Sequence, residues 1–199
     1  AAQQVAGADL EILSSLVDKS MLRREDRYHI HELLRQFGEE KLTASPEKTQ
    51  TVRRRFITYY ADFLHRRLEA INGAAQIQAA SEIAGEWENI RTAWQQAVAA
   101  GETDAIQRAA STYFYFCQLR SRFLEGADAL QAAAAQLENQ AVSRERDLTL
   151  AMLFNHEGWL RIRTGEFKRA QHILQKSCDL YEGRDVPPLP FMGNDSAVP

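Results

Sequence analysis

The stretch RYHIHELLRQFGEEKL, residues 27–42, sets His31 where a strand-like step, Tyr28–His29–Ile30, gives way to an amphipathic helix. A histidine there is either a detail of the helix start, capping residues 31–42, or the sensor of a bound ligand. Chemistry elsewhere on the chain is sparse. His29, His65, His156 and His172 show no HExxH spacing, and His156–Glu157 lacks a second histidine four residues on. Glu39–Glu40 fall on a solvent face, and Ser14, Ser15 and Ser20 lack the glycines of a nucleophile elbow. There is no GxxxxGK[ST] segment and no Gly-rich loop after a strand, so phosphates have no cradle. ATP hydrolysis is excluded on this sequence, and the chain is expected to be no enzyme and to hold no cofactor or metal of its own.

Two clusters point to binding instead. Arg53, Arg54 and Arg55, with His65, Arg66 and Arg67 about three turns on, form a basic strip that partly shares one helix face. Arg54 and Arg55 are the candidates there for an acidic partner, against the alternative of a solvated face. Tyr113, Phe114, Tyr115 and Phe116 are four consecutive aromatics, more than one buried stripe needs. Two should face the core, leaving Tyr113 and Tyr115 as candidate peptide anchors on a concave surface, against the alternative of packing between repeats.

Composition bounds these readings. With 45% hydrophobic and 26% charged residues over 199 positions, the chain can bury a core without staples. The net charge of −3 is unevenly spread. Residues 19–67 carry twelve Lys and Arg against seven Asp and Glu, and residues 68–140 carry four against nine. A basic segment beside an acidic one suggests contact with an acidic surface or a nucleotide, but is too diffuse to claim nucleic acid. Cys117 and Cys178 stand alone, without CxxC or CxxH, as expected of a reduced, cytoplasmic chain. No 18-residue apolar run or signal-peptide core occurs, so no membrane contact is expected. The start, Ala-Ala-Gln-Gln, and the immediate onset of a helical pattern suggest a piece of something longer.

The elements that must position these residues are mostly helical. Asp9 is an acidic N-cap for a short helix through Leu10, Ile12, Leu13, Leu16 and Val17. Met21–Leu22 and Tyr28–Ile30 read as a hairpin turning at Glu25–Asp26, and a helix follows from His31. Helix, hairpin, helix is the back end of a winged helix lacking its first helices. After Ser45–Pro46 the pattern is wholly helical. One stripe runs Phe56, Tyr60, Phe63 and Arg67 or Leu68, and a second runs Ile77, Ala80, Ala84, Trp87, Ile90, Trp94 and Ala97. Gly101 is a C-cap candidate. Helix pairs follow at about 103–119 with 122–137 and about 146–164 with 166–182. They repeat: Phe123, Gly126, Leu130 and Ala133 recur 44 residues later as Phe167, Ala170, Leu174 and Ser177, and Ser121 matches Gly165. Helix hairpins of this kind cannot bury their apolar faces alone and must stack, so an α-solenoid is the economical reading. Residues 183–199, with four of the five prolines, read as an extended or disordered tail.

Two stretches carry a resemblance. FNHEGWLRIRTGEFKRAQHILQKSCDLY resembles a tetratricopeptide repeat through Phe154, Gly158, Gly165, Phe167, Ala170, Leu174 and Leu180. Glu157, Arg161 and Ser177 depart from its usual residues. LSSLVDKSMLRREDRYHIHELLRQFGEEKL resembles the winged-helix segment of STAND-class (NB-ARC-like) signalling ATPases, and SEIAGEWENIRTAWQQAVAAG supplies Glu86, Asn89, Arg91, Ala93 and Trp94 in that family's order. The resemblance covers about residues 9–182. It implies a mostly α chain: a partial winged helix over 1–45, then a TPR-like solenoid over 46–182. It also implies that His31, at the place of the family's Met-His-Asp histidine, contacts the diphosphate of ADP in a full-length ATP/ADP-binding parent. Ile30 and Glu32 depart from that motif. The chemistry suits the position, because an imidazole at a helix N-terminus can donate to a phosphate oxygen.

The function expected is therefore a non-catalytic regulatory and interaction module. Its repeats would bind a partner protein, peptide or inducer, and its winged helix would couple them to the parent's nucleotide-binding domain. The alternative is a DNA-binding winged-helix transcription regulator. DLEILSSLVDKS argues against direct DNA contact, since it offers Asp9, Glu11 and Asp18 with only Lys19.

Overall fold

The computed structural model describes residues 1–25 and 27–181, so the proline-rich stretch 183–199 lies outside the described residues. The chain is mostly helical, with one two-stranded antiparallel sheet among the described residues. A five-residue helix, α1 (Ala2–Ala6), precedes α2 (Leu10–Asp18). Asp9 caps α2, its extended backbone bringing Oδ1 to within 2.8 Å of the Ile12 N–H. Ser20, at φ 55°, turns the chain out of α2 into β1 (Leu22–Arg24). β2 (Tyr28–Ile30) returns antiparallel, with Leu22 opposite Ile30 and Arg24 opposite Tyr28. α3 (Glu32–Thr43) follows and buries none of its residues.

The rest is a helical body. Pro46 opens α4 (Pro46–His65), its fixed φ suiting the first turn. The short α5 (Leu68–Asn72) leads to α6 (Gln76–Gly85), α7 (Trp87–Ala100) and α8 (Thr103–Leu119). α9 (Phe123–Glu138), α10 (Arg144–Arg163) and α11 (Phe167–Tyr181) complete it. α4 buries Ile57, Tyr60, Phe63 and Leu64, and the Leu64 carbonyl accepts from Thr112 Oγ1 of α8 at 2.9 Å. Packing this dense, with Ile83, Ile106, Leu130, Leu137 and Leu153 all but sealed from solvent, places the core between α4, α7, α8, α9 and α10.

One expected stripe is broken. Ile77 to Ala97 do not share a single helix face, because the chain interrupts at Glu86 (φ −110°, ψ 7°) and the helical phase is reset. Ile77 is exposed, and α6 buries Ala79, Ala80 and Ile83 instead. The 44-residue correspondence has a backbone counterpart: Ser121 and Gly165 both lie at positive φ, 54° and 81°. It also has a packing one. A Cβ on Gly126 would fall 2.8 Å from Cys117 Cβ and 2.7 Å from Leu160 Cδ1, so only a small residue lets α9 meet α8 and α10.

Candidate functional site

His31 is the N-cap of α3. Its backbone is extended (φ −65°, ψ 141°) and its Nδ1 accepts from the Leu33 N–H at 3.3 Å. That bond puts the proton of the neutral ring on Nε2, so the exposed edge of the imidazole is a donor. Capping and ligand contact are thus compatible in one side chain. Glu32 beside it is engaged within the helix: Arg35 donates to it at 2.6 and 2.8 Å and Gln36 at 3.0 Å. Those bonds, Arg35 first, hold its carboxyl down at about 2.

Tyr113 and Tyr115 are not groove anchors. Tyr113, 2% exposed, lies between Trp94, stacked at 4.8 Å, and Trp87 at 4.9 Å. Tyr115 is 9% exposed and packs its ring 5.0 Å from Phe114. All four aromatics are buried because α8 has helices on every side, with α4 to α7 on one flank and α9 and α10 on the other. Arg54 and Arg55 do lie on the surface. They line a cleft of about 660 Å³ along α4 with Thr51, Thr58 and Arg66, and Arg54 pairs with Glu102 at 3.5 Å.

Three constellations escaped the sequence reading. The first joins the hairpin to the helical body. Arg27 donates to Glu86 Oε1 at 2.6 Å and to the Gly85 carbonyl. The other Glu86 oxygen accepts from Tyr60 OH at 2.7 Å and Asn89 Nδ2 at 2.9 Å. Burial raises the Glu86 carboxyl, but these donors outweigh it and hold the group below its ordinary range. The break between α6 and α7 is what frees Glu86 for this role.

The second constellation is an ion cluster around Arg161, 1% exposed. Arg161 reaches Asp128 on α9 at 2.7 Å, Glu157 on its own helix at 3.4 Å and Glu166 before α11 at 3.1 Å. Burial drives the Glu157 carboxyl up, against the pull of Arg161. Here the sequence did carry a signal: Glu157 and Arg161, four apart, are the two charged departures from the repeat pattern. The third departure, Ser177, donates to the Ala151 carbonyl at 2.7 Å and so ties α11 to α10.

The third constellation is His156, whose ring stacks on Phe114 at 4.3 Å and 6° and whose Nε2 lies 3.2 Å from Ser111 Oγ. A serine at that distance from an imidazole has the spacing of a nucleophile and base. Among the described residues its buried Nδ1 has no hydrogen-bond partner to orient it as a base, and desolvation lowers His156 to about 4. Ser111 also donates to Met152 Sδ at 3.5 Å. The pair belongs to the packing of α8 on α10.

Among the described residues no group of three His, Cys, Asp or Glu side chains could hold a metal ion, and no helix is long and apolar enough to cross a membrane. Comparison of the chain with protein-family models, with curated proteins and with solved structures found no match.

Proposed function

We propose that the chain is a non-catalytic regulatory and interaction module of a STAND-type signalling regulator, acting in the cytoplasm. Residues 1–45 are the end of a winged-helix domain in this reading, and residues 46–182 a TPR-like solenoid. The observation that carries it is the set of large apolar side chains left uncovered on the first segment. Leu10, Ile12, Met21, Ile30, Leu33 and Phe37 are all exposed, although α2, the hairpin and α3 are regular elements. Large apolar side chains exposed in this number suit a surface that another domain covers, and the nucleotide-binding domain of a longer polypeptide is the cover the resemblance implies. The paired turns at Ser121 and Gly165, and the close approach at Gly126, support the solenoid.

The Arg27–Glu86 junction supplies the coupling. A partner that displaces α7 shifts Glu86, and through Arg27 it shifts the hairpin and the His31 cap that follows β2. Binding on the solenoid then biases the arrangement of the first segment, a population shift. His31 fits the role of phosphate donor, with Nε2–H exposed beside the start of α3. Direct DNA reading is disfavoured by Glu11 and Asp18 on α2.

The test is ADP release from the complete polypeptide. His31→Ala is expected to speed release by roughly tenfold or more, the cost of a lost hydrogen bond to a charged group. A complete polypeptide that binds no nucleotide, or release rates unchanged by the substitution, would overturn the reading.

A further inference from the structure

The cleft along α4 has a chemistry of its own. Thr51, Arg55, Thr58, Tyr59 and Arg66 face it, and Gln4 of α1 closes one side. Arg55 and Arg66 make no side-chain hydrogen bond or ion pair among the described residues, whereas Asp62 between them is already engaged by Arg108 of α8. The hydroxyls of Thr51, Thr58 and Tyr59 likewise have no partner among the described residues. The cleft thus holds two free guanidinium groups and three free hydroxyls, with its one acid neutralised.

Spacing identifies the ligand class. Arg55 and Arg66 are eleven residues apart on one helix, about 16 Å at 1.5 Å per residue. An extended peptide covers that distance in about five residues at 3.3 Å each. The cleft's third arginine, Arg54, is paired with Glu102 at 3.5 Å, so two free cations remain over that length, too sparse for a polyphosphate backbone, and Tyr59 alone offers no run of rings on which bases would stack. Arg forks match carboxylates bidentately, and the hydroxyls can serve the peptide backbone between them.

We infer that the α4 cleft binds an extended acidic peptide segment of a partner protein, one carboxylate on Arg55 and another about five residues away on Arg66. The inference rests on the reading of this chain as a partner-binding module and names one surface and its partner chemistry. The nucleotide role of His31 is tested separately by ADP release, so failure here is distinguishable from failure of that reading.

The experiment is fluorescence anisotropy of a labelled twelve-residue oligoglutamate titrated with the full chain at low salt. The chain's net charge of −3 does not by itself attract an anion, so saturable binding reports a local site. Arg55→Glu and Arg66→Glu are each expected to weaken binding at least fivefold. Arg53→Glu makes the same charge change about 200° away around α4, outside the cleft, and is expected to stay within twofold of wild type. Circular dichroism checks that all three fold. No saturable binding, or an equal loss from Arg53→Glu, would overturn the site. Tighter binding of a twelve-residue oligothymidylate, lost in the same two variants, would overturn the peptide assignment in favour of nucleic acid.

Discussion

The segment from α2 to α3 and the body from α4 to α11 are built from similar residues and end in opposite conditions. Among the described residues of 10–43 only Leu13 is buried, and Phe37 is 56% exposed. In the body, α8 alone buries ten residues, two tyrosines among them. The body closes its own core. The first segment has local order, from its caps at Asp9 and His31 and its short ladder, but almost no tertiary burial. A two-stranded hairpin with one helix on either side is marginal in water unless something packs on it. The contrast shows that regular secondary structure and self-sufficiency are separate properties.

Charge removal gives the largest expected difference between the regions. Arg161→Ala strips the nearer cation from Glu157 inside the packing of α9, α10 and α11, leaving Arg169 at 3.8 Å, and is expected to cost about 3 kcal/mol. Arg35→Ala, which breaks a solvent-exposed pair with Glu32, is expected to leave the denaturation midpoint nearly unchanged. Urea denaturation of the two variants checks this. Equal costs would mean that the body's buried cluster is as solvated as the surface of α3.

Apolar truncation sharpens the same contrast. Leu130→Ala, at a fully buried position in α9, is expected to cost about 3 kcal/mol by lost burial and the cavity left behind. Phe37→Ala should change stability by less than about 0.5 kcal/mol, because its ring is not covered within this chain. Thermal unfolding of both is the readout. A large loss at Phe37 would show that α3 has found a cover, in the body or in a second copy.

Acid acts through His156. Its folded value of about 4 lies below the ordinary 6.5, so the unfolded chain takes up the proton first as pH falls. Stability is therefore whole above pH 6.5 and is lost between 6.5 and 4, by about 2 kcal/mol at pH 5. Depressed carboxylates such as Glu86 and Glu166 also weaken the fold on acidification. His156→Phe isolates the histidine while keeping the stack on Phe114. Its stability minus that of wild type should rise by about 2 kcal/mol from pH 7 to pH 5, and a constant difference would mean that the ring is not sealed.

Legibility in the sequence followed the range of the interaction. Asp9 as a cap, the Tyr28–Ile30 strand, the helix at 103–119 and the matched turns at Ser121 and Gly165 are set by residues within a turn or two, and each lies where residue type and spacing put it. The fate of Tyr113 and Tyr115 was not legible, because a run of aromatics says nothing of how many helices surround it. Nor was the junction at Glu86, whose partners Arg27 and Tyr60 lie 59 and 26 residues away. The same limit hid the cleft: Arg54 and Arg55 were visible as a basic strip, but the neutralisation of Asp62 by Arg108 comes from 46 residues on.

The helical body closes its own core, whereas the described residues of 10–43 bury almost nothing within the chain. Hydrogen–deuterium exchange of the full chain, read peptide by peptide, tests it most directly. Amides of α2, the hairpin and α3 are expected to exchange within seconds to minutes, while those of α8, α9 and α10 remain protected for hours. Protection of α3 equal to that of α8 would contradict it, since the first segment would then be packed within the chain.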